Sequence, residues 1–377
     1  MSATAGNAFP RRRRISAWTE RDRSTTSGEA RLDAWVDADR TWGAEWRTSA
    51  LGARVWNEVL LDPIRDILGR PGKSFRANLV RACFALVNED GTPPPELPAA
   101  LEILHAGSLI VDDIADDSHE RRGGPCIHRV HGTPRALNAG NYMYFWALEL
   151  LADLPLPAGA ARALLRRANR TMLDCHRGQA LDIGLQVGVV PKETLLDAAA
   201  EISVLKTGAL MSLAAYAGAV AAGASPEQER AAERFGGRLG VVLQKLDDLG
   251  NLTSRHAPGK RFEDLRAGRV TWPWAWAAEA LDAPDFAALE RRAQELQRAC
   301  AAAATTQPTS IEGAGAALEA DMGSLAEDLL LCAGLHRRSD LRAELGAILD
   351  ALEAVFGDKP ALRLLGAEME RLEASYG

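Results

Sequence analysis

An all-α fold is predicted by three features of the sequence. Helix formers (Ala, Leu, Glu, Arg) recur throughout, while aromatic residues make up only 6% of the 377 residues. Apolar residues return at a 3.6-residue spacing, which places them on one face of a helix. Val and Ile rarely alternate with polar residues over a strand's length, so no sheet is expected. The hydrophobic share of 47% is enough for a sizeable core.

Taken in order, residues 1–30 are polar and lack periodic apolar positions, so they read as a flexible N-terminal extension. The basic run Arg11 to Arg14 falls within it and reads as a solvated tail. A helical pattern spans Leu32 to Leu68, with Trp35, Trp42, Trp46, Trp56 and Ile64 on its face. Pro71-Gly72 breaks the chain before a helix from Ser74 to Asn88, and Glu89 to Pro95 forms a loop rich in Pro and Gly. A long helix follows from Pro98 to Asp117. Further helices are expected at 134–152, 158–186, 192–205, 207–223, 226–253, 273–282, 284–304, 309–334, 338–356 and 359–375. Without an internal repeat or long linker, residues 31–377 read as a single all-α domain.

A net charge of −7 gives no sign of nucleic-acid binding. Cys83, Cys126, Cys175, Cys300 and Cys332 are scattered and lack C-x-x-C spacing, so they read as reduced core residues of a cytoplasmic protein. No apolar h-region follows the basic N-terminus, so no secretory signal is expected. The most apolar stretch, Gly208 to Ala224, is interrupted by Ser212 and glycines. It falls short of the ~20 residues that span a bilayer, so no transmembrane segment is expected.

The chemistry concentrates in two acidic clusters. In Asp112-Asp113-Ile114-Ala115-Asp116-Asp117, Asp112 and Asp116 lie one helical turn apart and share a face. Their mutual repulsion calls for cations. Carboxylates without nearby His or Cys favour hard octahedral ions, Mg²⁺ above all when a phosphate completes the ligands. In the second cluster Asp247 and Asn251 are four apart, with Asp248 beside them and Gln244 one turn earlier. Two such clusters on separate helices can face each other and hold a diphosphate through bridging ions. Basic residues flank both: Lys73 and Arg76, Arg121 and Arg122, Lys206 followed by Thr207, and Lys260.

These motifs resemble the trans-isoprenyl diphosphate synthases, most closely their geranylgeranyl-type members. The resemblance covers Pro71 to Pro273 and rests on P-G-K-S-F-R (71–76), H-A-G-S-L-I-V-D-D-I-A-D-D-S-H-E-R-R-G-G-P (105–125) and H-R-V-H-G-T-P-R-A-L-N-A-G-N-Y-M-Y-F (128–145). It continues in G-Q-A-L-D-I (178–183), K-T-G (206–208), Q-K-L-D-D-L-G-N-L (244–252) and D-L-R-A-G-R-V-T-W-P (264–273). It implies an isoprenoid-synthase helical bundle around a deep central cavity, usually dimeric. The implied reaction is ionisation of an allylic diphosphate, attack by isopentenyl diphosphate and loss of a proton to the departing pyrophosphate.

By the same resemblance, Asp112, Asp116 and Asp247 match the ligands of Mg²⁺, three ions per active site, with Asp113, Asp248 and Asn251 in support. Arg121, Gln179, Lys206, Gln244 and Lys260 match the allylic diphosphate site. Lys73, Arg76, His105 and Arg122 match the isopentenyl diphosphate pocket. Asp182 and Thr207 match residues lining the reaction centre.

Gly107 and Ser108 lie five and four residues before Asp112 on the same helix, and one turn of ~5.4 Å is about one isoprene unit. Small residues there imply a product of twenty carbons or more; Tyr142, Phe145 and Trp146 read first as ordinary core aromatics, with a deeper floor as the alternative. The Trp-rich segment Trp272-Pro273-Trp274-Ala275-Trp276 raises an alternative, a class I terpene cyclase on the same scaffold, because indole faces stabilise cations. A cyclase uses one diphosphate and has no need of the isopentenyl pocket, which favours the condensing enzyme.

Overall fold

A computed structural model describes residues 49–253, 261–305, 312–334 and 337–375. The chain divides into two compact units, residues 1–71 and 72–377. In the first unit, α1 (Ala50–Trp56) begins at Ser49, whose hydroxyl caps it by accepting from the Gly52 N–H at 3.0 Å. A wider π-turn (Asn57–Leu61) joins it to α2 (Asp62–Gly69), which has Pro63 in its first turn and buries Ile64 and Ile67. Trp35, Trp42, Trp46 and the expected extension lie outside the described residues.

The second unit is a bundle built on α3 (Phe75–Val87), α4 (Glu96–Ala115), α6 (Thr133–Ala152), α7 (Ala158–Gly184), α8 (Leu195–Ser203), α9 (Ala209–Ala221) and α10 (Pro226–Thr253). A one-turn helix, α5 (Ile127–His131), precedes α6. The short α11 (Glu263–Ala267) follows α10, and α12 (Trp272–Ala280), α13 (Ala283–Thr305), α14 (Glu312–Ala333), α15 (Arg337–Phe356) and α16 (Pro360–Ser375) complete the chain. The centre is α9, buried from Leu210 to Val220 except at Tyr216. Small side chains let its neighbours come close: a Cβ added at Gly218 would stand against the Val80 carbonyl oxygen of α3. Where α4 crosses α6, a Cβ on Gly107 would lie 2.9 Å from the Gly140 carbonyl oxygen and 2.9 Å from Met143 Cβ.

The long helices fall close to their expected spans, and three local features depart from expectation. The first Asp helix ends at Ala115, because Asp117 adopts a left-handed φ of 52°. The expected absence of strands fails between Glu120 and Pro125, where Glu120–Arg121 pairs antiparallel with Gly124–Pro125. Its turn residues Arg122 and Gly123 both have positive φ (53° and 74°), the geometry of a two-residue hairpin turn. Finally, the helices expected at 192–205 and 207–223 are one run, joined by a π-turn at Val204–Gly208. That run, Lys192–Ala221, is long and apolar enough to cross a membrane, but 61% of its apolar window is buried inside the protein. Burial of this kind is what a core helix shows.

If the α3–α9 contact needs glycine, Gly218→Ala should overpack it and lower stability by about 1–3 kcal/mol. Urea denaturation followed by circular dichroism measures this, and an unchanged midpoint would contradict the packing described.

Candidate active site

Asp112 and Asp113 occupy the last turn of α4, and Asp116 is its C-cap residue. This is the negative end of the helix dipole, and α4 has no basic residue in its last turn. Three other elements supply the missing positive charge. Lys206 places Nζ 2.6 Å from Asp182 Oδ2 and 3.4 Å from Asp112 Oδ1. Arg269 donates to Asp116 Oδ1 and to the Asp182 carbonyl oxygen. Arg121 donates through Nε to Asp113 Oδ1 at 2.7 Å and through Nη2 to the same oxygen.

The ionisation of these groups follows from the pairing. Burial alone would raise the Asp112 pKa, but Lys206 and Arg121 outweigh it, and the Gln179 amide adds to them, so the carboxyl sits below its usual range. Asp116 is pushed up to about 6, by burial first and then by the Asp112 charge, with Arg269 opposing. Burial acts against the Lys206 ammonium, yet Asp112 and Asp182 raise its pKa and keep it charged. In Tyr144 of α6, burial followed by the Asp112 charge raises the phenol pKa.

The π-turn explains how Lys206 and Thr207 reach this site together. A Cβ on Gly178 of α7 would lie 2.9 Å from the Lys206 backbone nitrogen, and one on Gly240 of α10 would lie 2.7 Å from Gly208 Cα. The turn is therefore wedged between two glycine-backed helices. Thr207 Oγ1 donates to Gln244 Oε1 at 2.6 Å, and Gln244 Nε2 donates to Asp248 Oδ1 at 2.8 Å. Asp248 Oδ2 accepts the Trp272 backbone N–H at 2.9 Å. Both Asp248 oxygens thus brace neighbouring groups, whereas Asp247 is exposed. Burial pushes the Asp248 pKa up to about 7, while its bonds from Trp272 and Gln244 act the other way.

A second cationic group gathers around His105. His105 has its pKa driven well below 6.5 by burial and then by the charges of Arg76, Arg122 and Arg121. Arg122 holds a left-handed φ, which costs a non-glycine residue about 1–2 kcal/mol, and such strain gathers at functional sites. Its guanidinium lies over Gly72, where an added Cβ would be 3.3 Å from Cζ. Burial lowers the Lys73 pKa, with Asp247 attracting and Arg371 of α16 repelling the charge. Three guanidiniums around one neutral imidazole form a site suited to a multiply charged anion.

Several expectations change on this geometry. Phe145 is 69% exposed, so it points out of the protein and provides no floor; its neighbour Tyr144 packs edge-on against His176 instead. Gly107 sits at the α4–α6 crossing, which requires a small residue there whatever the product. Ser108 turns its hydroxyl to the His105 carbonyl oxygen at 2.8 Å. Lys260 lies outside the described residues. Arg269 is a site residue to which the sequence alone gives no role; the signal for it is a guanidinium soon after Asp264 in an otherwise recognisable motif.

Among the described residues, no three His, Cys, Asp or Glu side chains form a ready-made metal site. The donor set still fits Mg²⁺, which takes one or two carboxylates and completes its octahedron with phosphate oxygens and water. Asp112, Asp116 and Asp247 would be those carboxylates.

A profile of the polyprenyl synthetases matches residues 57–306, well over half of the chain. The chain belongs to the polyprenyl synthetase family. The geranylgeranyl pyrophosphate synthase of Eremothecium gossypii is 34% identical over 233 residues, 59% of this chain and 72% of that protein. Geranylgeranyl pyrophosphate synthase 2 of Zymoseptoria tritici is 33% identical over 220 residues, 57% of this chain and 63% of the relative, less than two thirds of its length. The crystal structure of geranylgeranyl pyrophosphate synthase from Lactobacillus brevis shares the fold, with a TM-score of 0.68 at 22% identity over 93% of this chain and 95% of that one. The all-α fold is thus that of the family, and the chain is an isoprenyl diphosphate synthase.

Two outcomes follow from the pairing. Asp113→Ala removes the carboxylate that buried Arg121 binds and should cost about 3 kcal/mol or more of stability, whereas Asp112→Ala should melt near the wild type. Equal melting temperatures in a thermal scan would contradict this division of roles. His105 refuses a proton that the unfolded chain accepts, so its contribution is full above pH 6.5 and declines as pH falls below it. His105→Gln should therefore flatten the acid side of the stability–pH curve, and an unaltered curve would show that the ring is not held neutral.

Proposed function

We propose that the protein condenses isopentenyl diphosphate with an allylic diphosphate, in a Mg²⁺-dependent reaction, to give a geranylgeranyl-type product of twenty carbons or more. The observation that carries the proposal is the presence of two groups of cations at one acidic helix end, one on Asp112 and Asp116 and one on His105. Lys206 and Arg269 border Asp112 and Asp116, Arg76 and Arg122 act on His105, and the charge of Arg121 reaches both groups. Two clusters suit two diphosphates, as a condensation requires. Binding energy from both can then be directed at the charge that develops on the leaving group.

Bound magnesium, three ions in this reading, would stabilise the negative charge on the departing pyrophosphate. Lys206, with Gln179 and Gln244 nearby, would orient the allylic diphosphate at the Asp112 side. Lys73, Arg76, His105 and Arg122 would hold isopentenyl diphosphate, His105 as a neutral hydrogen-bonding group among fixed charges. No protein base is assigned for the final deprotonation.

The cyclase alternative is not favoured. Trp272, Trp274 and Trp276 are all buried in packing contacts (6%, 1% and 3% exposed), and a cyclase would leave the second cluster without a use. A homodimer is part of the proposal, supported by the exposed apolar Leu137 and Phe145 on α6 and Leu173 on α7. A cytoplasmic location agrees with its cysteines, which are all free.

Incubation with Mg²⁺ and each allylic diphosphate, with and without isopentenyl diphosphate, tests the reading. Elongated diphosphates of twenty or more carbons should form only when isopentenyl diphosphate is present. Hydrocarbon or alcohol in its absence would establish a cyclase, and a fifteen-carbon product alone would refute the chain-length reading. Asp112→Ala should lower kcat by about two orders of magnitude or more.

A further inference from the structure

Lys245 stands beside Gln244 on α10, yet its side chain engages a different set of residues. Only 14% of that side chain is exposed, and its Nζ lies 2.8 Å from Glu344 Oε2 of α15. The same ammonium sits 4.7 Å from the centroid of the Trp272 ring. A lysine so covered has lost much of its hydration, and the carboxylate and the indole face together replace it.

Trp272 is held at two further points. Its indole N–H donates to Ser203 Oγ of α8 at 2.8 Å, and that hydroxyl donates in turn to the Ala199 carbonyl oxygen at 2.8 Å. Its backbone N–H donates to Asp248 Oδ2 at 2.9 Å. From Asp248 the bonds run through Gln244 to Thr207, next to Lys206. The ring is therefore fixed on one face by the Lys245–Glu344 pair, at its edge by α8 and along its backbone by α10. A displacement of Trp272 would turn Asp248 and then Gln244.

We propose that Trp272 is a positioning residue for the diphosphate site, and that the Lys245–Glu344 pair on its indole face lets α15 set the orientation of Asp248 and Gln244. This rests on the diphosphate reading given above. None of these bonds runs to Lys73, Arg76, His105 or Arg122, so the arrangement acts first on the allylic side and reaches Lys73 only through the charge of Asp247. A purely structural ion pair between two helices would instead affect both substrates and the melting temperature alike.

The test uses Glu344→Gln, Lys245→Met and the reversed pair Lys245→Glu/Glu344→Lys in the full-length protein. Calorimetric titration with inorganic pyrophosphate in the presence of Mg²⁺ reads the site without requiring turnover. Both single variants should bind about tenfold more weakly, as removal of such supporting partners commonly does. KM for the allylic substrate should rise several-fold more than KM for isopentenyl diphosphate. The reversed pair restores the ion pair but places a carboxylate on the indole face, so it should not recover binding.

Wild-type affinity in both single variants would overturn the proposal. So would a loss of affinity matched by an equal loss of folded protein or by an equal rise in both KM values. Recovery in the reversed pair would overturn the role of the indole face. A wild type that binds magnesium pyrophosphate but makes no elongated product would refute the condensation and leave this inference standing.

Discussion

Carboxylates crowded at the C-terminal end of a helix repel one another and the helix dipole, and the rest of the bundle is arranged around that conflict. α4 delivers Asp112, Asp113 and Asp116 without a basic residue in its own last turn. Each acid receives a cation from elsewhere in the chain: Lys206 from the π-turn, Arg121 from the hairpin, Arg269 from the loop before α12. These partners lie 8, 94 and 153 residues from their acids in sequence, so only the tertiary fold can bring the last two together. The glycines at 178 and 240 have a role here, since they admit the widened turn that aims Lys206.

The pairing also separates residues that look equivalent. Asp112 and Asp116 face long, flexible side chains, which in the proposed reaction would exchange a carboxylate for a phosphate. Asp113 is fully buried on Arg121, an arrangement that holds the guanidinium beside His105. In the second motif Asp248 is buried and braced while Asp247 is exposed. In Asp112–Asp113 and Asp247–Asp248 alike, one acid is thus an inward-facing brace, and in the proposed reaction the other would meet a cation. Successive helical residues differ in direction by about 100°, which is why neighbours in sequence divide the work in this way.

Much of this is legible in the sequence. Helix period, Pro and Gly breaks and the spacing of the Asp motifs locate the long helices and the acids, because these depend on local pattern. The hairpin at Glu120–Pro125 escapes such a reading, because it rests on Arg122 in a left-handed conformation that no propensity favours. The π-turn reads as a gap between two helices, since only the neighbouring glycines reveal that the run continues. An aromatic residue in an apolar helix reads as core, and only tertiary packing places Phe145 at the surface. In sequence Trp272 suggests a cation-stabilising face for a carbocation, whereas its bonds tie it to Asp248 and Ser203.

The acids are thus held ready but incomplete, and in the proposed reaction the diphosphate itself finishes the metal site. Calorimetric titration of Mg²⁺ into the protein, alone and with saturating inorganic pyrophosphate, tests this most directly. Weak binding alone and at least tenfold tighter binding with pyrophosphate, lost in Asp112→Ala, is the expected result. Tight stoichiometric Mg²⁺ binding without pyrophosphate, unchanged when it is added, would contradict it.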